Sequence, residues 1–351
     1  MLGGGLGLFL FGMKMMGDEL ERAAGNSLRH LLEVLTRNRL LGLLVGMLFT
    51  MLVQSSSATT VMVVGFVNAG LMDLYQAAGV IFGANIGTTI TAQLIAFKLS
   101  DVAPAILLVG VVMYSFSKKS LVRQIGGVIA GFGILFVGLD LMSDSMSKLR
   151  DMPEVAEFLA AFGRVPILGV LAGLLITVVI QSSSASVGIL QVLAAQGLIG
   201  LDAAIFIVMG QNIGTTVTAM LASLGGNKVA RRTAILHLMF NIFSTILPVT
   251  DWIAATAPDD PMRQVANAHM VFNIFGVVVF FPFINKLVRL TEIIVPGEDT
   301  NGTSLRLQFL NDSILSTPPA ALAQAIKEIH RMQGLANQNI QVAIDLFVKG
   351  K

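Results

Sequence analysis

The sequence predicts an all-α, polytopic membrane protein made of two inverted-topology repeats, with re-entrant hairpins and interrupted helices. The first observation behind this prediction is composition: hydrophobic residues make up 54% of the 351 residues, and charged residues only 13%. Soluble domains carry roughly 25% charged residues, so most of the outer surface must face lipid. The second observation is a long internal duplication. The third is a set of apolar segments that are broken at matching places in both copies.

Composition also excludes several kinds of chemistry. The chain has no cysteine, which rules out disulfides, thiol catalysis and thiolate metal sites. Its formal net charge of +2 gives no indication of a nucleic-acid partner. The first apolar stretch is rich in glycine and lacks both a basic start and a small-residue cleavage site. We therefore expect it to belong to the mature fold rather than to a signal peptide.

The duplication extends through most of the chain. Residues 41–96 align without a gap with residues 168–223, and 24 of the 56 aligned positions are identical. Glycines of the first apolar segment recur 126 residues later. A match of this length indicates two structural repeats. We predict four regions: transmembrane repeat 1 at 1–124, transmembrane repeat 2 at 125–250, a final transmembrane helix with its preceding external loop at 251–295, and a linker with a partial cytoplasmic helical region at 296–351.

The apolar segments contain polar interruptions. Segments 40–69 and 166–199 are each broken by Gln-Ser-Ser-Ser, and segments 74–97 and 203–224 each contain Asn-Ile-Gly-Thr-Thr. A spanning helix needs about 20 apolar residues, so we expect the chain to break at both motifs. Paired interruptions in two halves of a membrane protein indicate the binding site of a transporter.

Charged loops predict the orientation. Three basic loops, around Lys118–Arg123, Lys228–Arg232 and Lys286–Arg289, are expected on the cytoplasmic side, while the acidic loop at 251–262 is expected outside. The counterpart of the 228–232 loop in repeat 1 carries no net charge. This asymmetry favours opposite orientations for the two repeats. After the polar linker at 296–302, Thr317 and Pro318 are expected to begin an amphipathic helix.

The interrupted segments also predict the chemistry of the site. Within 40–97 and 166–227 the charged side chains are Asp73 and Asp202, so the predicted pocket holds amides, hydroxyls and backbone but no Lys or Arg. Such groups suit an oxyanion at the N-termini of half-helices, together with a cation such as sodium that compensates its charge. The structural alternative is that Ser and Thr hydroxyls bond carbonyl groups one turn back. Asp73 and Asp202 are expected to be solvated near hairpin ends, the alternative being a sodium-ligand role.

A second, shorter repeated pattern occurs later in the chain. His237 precedes Asn241 by four residues, and His269 precedes Asn273 by four, so each pair shares a helix face. These pairs predict either hydrogen bonds that fix helix packing or a proton relay.

The duplicated Gln-Ser-Ser-Ser, each copy followed by Gly-x-Asn-Ile-Gly-Thr-Thr-x-Thr, resembles the type II sodium–phosphate cotransporter family over residues 1–295. Residues 308–351 resemble the opening of the PhoU-type helical domain that many bacterial members carry. The resemblance implies that the two Gln-Ser-Ser-Ser hairpin tips meet near the membrane midplane. It implies that phosphate is held by Ser55, Ser56, Ser57, Ser182, Ser183 and Ser184. It implies that sodium is held by Gln54, Gln181, Asn85, Asn212, Thr88, Thr89, Thr215 and Thr216.

The resemblance leads us to expect sodium-coupled symport of inorganic phosphate across the cytoplasmic membrane by alternating access. Transport of another small anion, such as sulfate or a carboxylate, is one alternative, although the absence of a pocket Arg disfavours a carboxylate. A membrane phosphate sensor is another. Enzymatic motifs are absent. We expect no cofactor, sodium as co-substrate, the lipid bilayer as surroundings, a possible homodimer and a cytoplasmic C-terminal tail.

Overall fold

The computed structural model describes residues 1–34, 38–97, 99–150, 152, 154–155, 165–245, 252–297, 309 and 317–349. Every regular element in these ranges is a helix, which confirms the predicted all-α class for this part of the chain. By length and composition, four stretches within them can cross a membrane: Leu74–Ile95, Ser120–Lys148, Leu201–Ser223 and Pro261–Ile294. Asp251 and residues 298–302 of the predicted linker lie outside the described residues.

The first half of the chain forms six helices in the described ranges, with a 3₁₀ turn at Ser100–Val102. They are α1 (Leu2–Val34), α2 (Arg39–Val53), α3 (Ser56–Asn68), α4 (Leu74–Ile95), α5 (Ala103–Phe116) and α6 (Ser120–Arg150). The second half continues with a 3₁₀ turn at Phe281–Phe283. Its helices are α7 (Pro166–Ile180), α8 (Ser183–Ala195), α9 (Leu201–Ser223), α10 (Lys228–Ser244), α11 (Trp252–Thr256), α12 (Pro261–Phe280), α13 (Ile284–Ile294) and α14 (Pro318–Lys349).

The break predicted at Gln-Ser-Ser-Ser is present in both repeats. α2 ends at Val53, Gln54 takes a left-handed conformation with a φ of 58°, and Ser55 caps the start of α3. In repeat 2, Gln181 has the same φ of 58° and the following serine caps α8. A left-handed residue at a helix C-terminus reverses the chain and is unusual for a non-glycine side chain. The recurrence of this geometry confirms that both motifs interrupt a helix.

Each interruption forms the tip of a helical hairpin. α2 runs parallel to α4: Gly42 lies near the first turns of α4, whereas Gly87, farther along α4, lies near Met47 and Thr50 of α2. α3 leads back to the start of α4 through a short turn at residues 69–73. The start of α2 and the end of α3 therefore lie at the same end of the molecule, and Gln54 lies at the tip. α7 packs on α9 in the same parallel manner in repeat 2.

The break predicted at Asn-Ile-Gly-Thr-Thr is wrong, because α4 and α9 run unbroken through it. Polar side chains there bond the helix's own backbone: Asn85 Nδ2 donates to the Ile81 carbonyl at 2.8 Å, and Thr89 Oγ1 donates to the Ile86 carbonyl at 2.7 Å. The glycine of the motif serves close packing. A Cβ at Gly87 would lie 2.5 Å from the Met47 carbonyl oxygen.

The first helices of the two repeats pack against each other in an antiparallel arrangement. A Cβ at Gly5 would lie 2.9 Å from the Gly138 carbonyl oxygen, and one at Gly131 would lie 2.8 Å from that of Gly12. Gly131 and Gly138 are the repeat-2 counterparts of Gly5 and Gly12. Equivalent positions therefore exchange equivalent contacts, as in a self-complementary interface around a two-fold axis.

Specific hydrogen bonds distinguish the two ends of the bundle. At one end, the Asn227 backbone N–H donates to Asn68 Oδ1 at 2.8 Å, which joins the end of α3 to the start of α10. Arg232 at that end also donates to two carbonyl groups of the segment after α13. At the opposite end, where α4 finishes, Arg263 Nη2 donates to the Ala96 carbonyl at 3.0 Å.

The tail helix α14 attaches to the first of these ends. Lys327 Nζ donates to the carbonyl oxygens of Ala69 and Gly70, at 3.2 and 2.6 Å. Ala320 is fully buried in the core cluster that also contains Leu74. Partial burial lowers the pKa of the Lys327 ammonium group, because desolvation disfavours its charged form. A cation at the C-terminal end of α3 is also favoured by the helix dipole.

Candidate functional site

The hairpin tips present the free N-termini of two half-helices. Ser55 Oγ accepts from the Ala58 backbone N–H, and Ser182 Oγ accepts from that of Ala185, each at 3.2 Å. These serine caps satisfy part of the unpaired N–H groups that every helix start carries. The remaining groups and the helix dipole favour negative charge at both tips. Gln181 is exposed at its tip, while Gln54 is half-buried.

Hydroxyl groups connect the tip of each hairpin to the long helix of the other repeat. Ser184 Oγ donates to Thr91 Oγ1 at 3.4 Å and shares a second hydrogen bond of 3.4 Å with Thr88 Oγ1. From the long helix of repeat 2 to the first hairpin, Thr218 Oγ1 donates to Ser57 Oγ at 3.3 Å. The pairs 57–218 and 184–91 are equivalent positions in the two repeats. Among the predicted residues, the structure therefore brings Ser184 of repeat 2 into contact with Thr88 of repeat 1.

Thr91 and Thr218 form these contacts and are not among the predicted phosphate and sodium residues. Thr91 Oγ1 donates to Gln54 Oε1 at 2.7 Å, in addition to its contact with Ser184. Both threonines close the duplicated Gly-x-Asn-Ile-Gly-Thr-Thr-x-Thr motif, one helical turn beyond the first motif threonine. The i, i+3 spacing places Thr88 and Thr91 on one helix face. This spacing is the signal that would have identified them.

The other predicted residues of α4 and α9 make local bonds. Thr215 Oγ1 donates to the Gln211 carbonyl at 3.0 Å, and Thr216 Oγ1 to the Ile213 carbonyl at 2.7 Å. Thr89 and Asn85 bond their own helix in the same way. A hydroxyl that donates to a carbonyl keeps its oxygen lone pairs available as acceptors.

Asn212 is in contact with one of the buried histidines. His269 Nε2 lies 3.2 Å from Asn212 Oδ1, while Asn273 Nδ2 donates to the His269 carbonyl at 2.8 Å. His237 and Asn241 repeat the second bond at 2.9 Å. His269 therefore forms a hydrogen bond between two helices, as one of the two predicted roles requires. The Asn241 bond lies within α10, and both ring nitrogens of His237 are buried without a partner among the described residues. Asn212 Nδ2 and His269 Nδ1 are buried without a partner among the described residues.

The predicted serines divide between the cavity and the protein interior. Ser55 and Ser182 line a cavity of about 420 Å³ together with Gln54 and Thr91. Ser56, Ser183 and Ser184 are buried, and Ser57 is half-buried. The cap position of each Ser-Ser-Ser thus lines the cavity, while the third position bonds the opposite repeat.

The prediction of a pocket without a basic side chain is wrong. Lys14 of α1 lines the same cavity, with Asp18 and Glu21 on the same helix. The prediction considered the charges within the interrupted segments alone, and α1 lies outside them.

Asp73 and Asp202 are both exposed at the starts of α4 and α9, where Asp73 caps its helix by accepting from the Gln76 backbone N–H at 2.8 Å.

The chain is similar to known transport proteins. Residues 8–144 and 141–282 each match the family described as Na+/Pi-cotransporter. The chain is 32% identical over 295 residues to the uncharacterized protein YqeW of Bacillus subtilis, covering 83% of this chain and 96% of YqeW. It is 30% identical over 339 residues to the putative inorganic phosphate export protein YjbB of Escherichia coli, covering 95% of this chain and 62% of YjbB.

A shorter match involves a mammalian protein. The chain is 35% identical over 95 residues to the sodium-dependent phosphate transport protein 2A of Rattus norvegicus, which covers 26% of this chain and 15% of that protein. No solved structure matches the chain.

Proposed function

The chain belongs to the Na+/Pi-cotransporter family, and from this premise we propose that it moves inorganic phosphate across the cytoplasmic membrane coupled to sodium, by alternating access. The family consists of phosphate transporters and not of enzymes. The relatives named for phosphate transport support the substrate. Coupling to sodium rests on the family and on the chemistry of the site.

One observation carries the proposal: the tips of two equivalent hairpins contact each other's repeat beside a cavity that brings charged, amide and hydroxyl side chains into an otherwise apolar helix bundle. An oxyanion at these tips meets helix N-termini and serine hydroxyls, which favour negative charge. A bound anion at membrane depth is costly unless a cation compensates its charge. Sodium bound to neutral amide and hydroxyl oxygens supplies that charge, so each ion stabilises the binding of the other.

We assign the predicted residues to the two ions on this basis. The serines of both tips hold phosphate: Ser55, Ser56, Ser57, Ser182, Ser183 and Ser184. Sodium is held by oxygens of Gln54, Gln181, Asn85, Asn212, Thr88, Thr89, Thr215 and Thr216, to which we add Thr91 and Thr218. The hydrogen bond from Thr91 to Gln54 Oε1 supports the addition of Thr91, which also lines the cavity. The bond from Thr218 to Ser57 Oγ, a phosphate-assigned serine, supports the addition of its counterpart.

We further propose that repeat 1 (1–124) and repeat 2 (125–250) lie in opposite orientations and that their hairpins are re-entrant. The antiparallel packing of α1 on α6 supports opposite orientations, because these helices are equivalent. Both ends of the α2–α3 hairpin lie at one end of the molecule, which supports re-entry. The end that binds α14 is assigned to the cytoplasm on the basis of its basic residues.

The direction of net flux has a second candidate. YjbB is named as a putative inorganic phosphate export protein, and this chain spans 62% of its length. A coupled carrier moves phosphate in either direction, depending on the ion gradients. Export through the same site is therefore the second candidate.

The test uses the full chain reconstituted in liposomes. We expect an inward sodium gradient to drive uptake of radiolabelled phosphate, choline in place of sodium to abolish it, and an outward sodium gradient to drive efflux from loaded liposomes. Phosphate flux that is the same in sodium and in choline would contradict the coupling. Equal flux of sulfate would favour the alternative anion, and saturable phosphate binding without flux would favour a sensor.

A further inference from the structure

α1 carries a charged face within an apolar helix. Lys14 is the first charged side chain of the sequence, and Asp18 and Glu21 follow it by four and seven residues. Residues at these spacings lie on one side of an α-helix. All three line the 420 Å³ cavity that also contains Gln54, Ser55 and Ser182. The charged face is therefore directed at the hairpin tips and not at lipid.

A glycine brings this face close to the first tip. A Cβ at Gly17 would lie 3.2 Å from the Val53 carbonyl oxygen and 3.8 Å from Gln54 Cβ. Gly17 lies between Lys14 and Asp18 in the sequence and also lines the cavity. The backbone of α1 thus approaches the left-handed turn at Gln54, and the flexible lysine stem begins about one helical turn away.

Lys14 is available to a ligand. Among the residues that the structure describes, its ammonium group forms no ion pair, although Asp18 lies four residues later. A lysine that precedes its acidic partner by four residues has the weaker of the two possible orders for a helical ion pair. The repeat-2 counterpart of Lys14, 126 residues later, is Asp140. The basic group is thus present in one repeat alone.

We propose that Lys14 is a specificity-determining residue that attracts the tetrahedral oxyanion to the hairpin tips, while Asp18 beside it attracts the cation. This inference rests on the proposed function and adds to it a charged group for each ion. An ammonium group acts on phosphate oxygens as a point charge with three donors and needs no planar, bidentate partner. The site therefore favours a multiply charged oxyanion over a monocarboxylate.

The test measures phosphate uptake by the full chain in liposomes at saturating sodium. We expect Lys14→Gln to raise the phosphate KM roughly tenfold, equivalent to about 1.4 kcal/mol, with little change in the maximal rate. Lys14→Arg keeps the charge and should stay near the parent. The matched control is Lys119→Gln, which removes the same charge from an exposed position before α6. In a separate titration of sodium at saturating phosphate, Asp18→Asn should raise the sodium concentration needed for half-maximal uptake.

Because the chain has no cysteine, a single cysteine introduced at position 14 can show whether the charge there or the shape of the side chain affects phosphate uptake. Lys14→Cys should show the raised KM, and treatment with the cationic reagent aminoethyl methanethiosulfonate should lower it again. The anionic sulfonatoethyl reagent should leave the KM high or raise it further. A cationic reagent that restores nothing would overturn the proposal, as would a parental KM in Lys14→Gln.

These failures are distinguishable from failure of the proposed function. If the parent shows sodium-driven phosphate uptake and Lys14 variants match it, the proposed function stands and the role of Lys14 is wrong. If the variants fail to fold, a measurement on the parent protein still tests the inference. Added choline chloride screens the attraction between Lys14 and phosphate, so the phosphate KM should rise at constant sodium. A KM that stays constant would overturn the inference. A parent without phosphate flux overturns both.

Discussion

At the scale of single residues, Thr91 lies at the centre of the contacts between the repeats. Its hydroxyl donates to Gln54 Oε1 at 2.7 Å and accepts from Ser184 Oγ at 3.4 Å. One side chain therefore joins the tip of the first hairpin to the tip of the second. A change in either hairpin alters the hydrogen bonds available to the other.

Thr91→Val should weaken binding because it removes this hydroxyl without changing the side-chain shape. Leaving the partner groups without their bond typically costs about 1–3 kcal/mol, so we expect phosphate affinity to fall roughly 5- to 150-fold. Calorimetric titration of phosphate at several sodium concentrations measures the change. The control is Thr233→Val, because Thr233 is also buried but donates only to the Val229 carbonyl of its own helix. Equal affinities in both variants would contradict a site role for Thr91.

The tip residues were predictable from the sequence, and the residues around them were not. Gln54 and Ser55 recur in both repeats inside apolar segments too long to be one irregular loop, so the break was evident. Thr91 was overlooked because the prediction treated its motif as a chain break, where helical spacing has no meaning. Lys14 was overlooked because it reaches the cavity from a helix that is distant in sequence, and only packing brings it there.

At the scale of helices, the Asn-Ile-Gly-Thr-Thr segments show that one sequence pattern is compatible with either a turn or a closely packed helix. Glycine beside threonine is typical of a turn, and it is also typical of close helix packing in membranes. In this chain the glycines of these segments pack helices closely and do not form turns. A Cβ at Gly83 would lie 1.9 Å from the Leu43 carbonyl oxygen, and one at Gly210 would lie 1.9 Å from that of Val170. The hairpins are thus held against α4 and α9 by direct backbone contact.

Gly83→Ala should therefore destabilise the protein. The added methyl group must separate α2 from α4, and overpacking of this kind typically costs about 1–3 kcal/mol. The gain in helix propensity from glycine to alanine, about 1 kcal/mol, offsets only part of it. Thermal unfolding of the purified protein in detergent should show a lower midpoint than the parent. Gly4→Ala is the control, because no atom lies within 4 Å of its added Cβ. Equal midpoints for the two variants would show that α2 is free to move away.

At the scale of the whole molecule, the repeats share equivalent serine–threonine and glycine contacts but differ in the surroundings of their tip glutamines. Ser57 with Thr218 and Ser184 with Thr91 obey the same two-fold relation as the glycines of α1 and α6. In contrast, Gln54 is hydrogen-bonded by Thr91 whereas its counterpart Gln181 is exposed. Alternating access needs two halves that exchange roles. The two glutamines therefore lie in unequal environments, although the serines of both hairpins bond the opposite repeat.

Labelling of equivalent positions tests the proposed inversion directly. Tyr75 and Asp202 are equivalent residues in the first turns of α4 and α9, and both are exposed. If the repeats are inverted, an impermeant maleimide added to intact cells should label Asp202→Cys, whereas Tyr75→Cys should react only after permeabilisation. The chain has no native cysteine, so each variant carries one reactive site.

Two loop positions calibrate the sides in the same experiment. Asp259→Cys should label from outside and Lys119→Cys from inside, because the basic loop is expected in the cytoplasm. Both positions are exposed. If positions 75 and 202 react from the same side while 119 and 259 react from opposite sides, the repeats are parallel and the inverted arrangement is wrong. If 119 and 259 react from the same side, the assignment of the loops fails. Opposite labelling of both pairs is the result that the antiparallel packing of α1 and α6 leads us to expect.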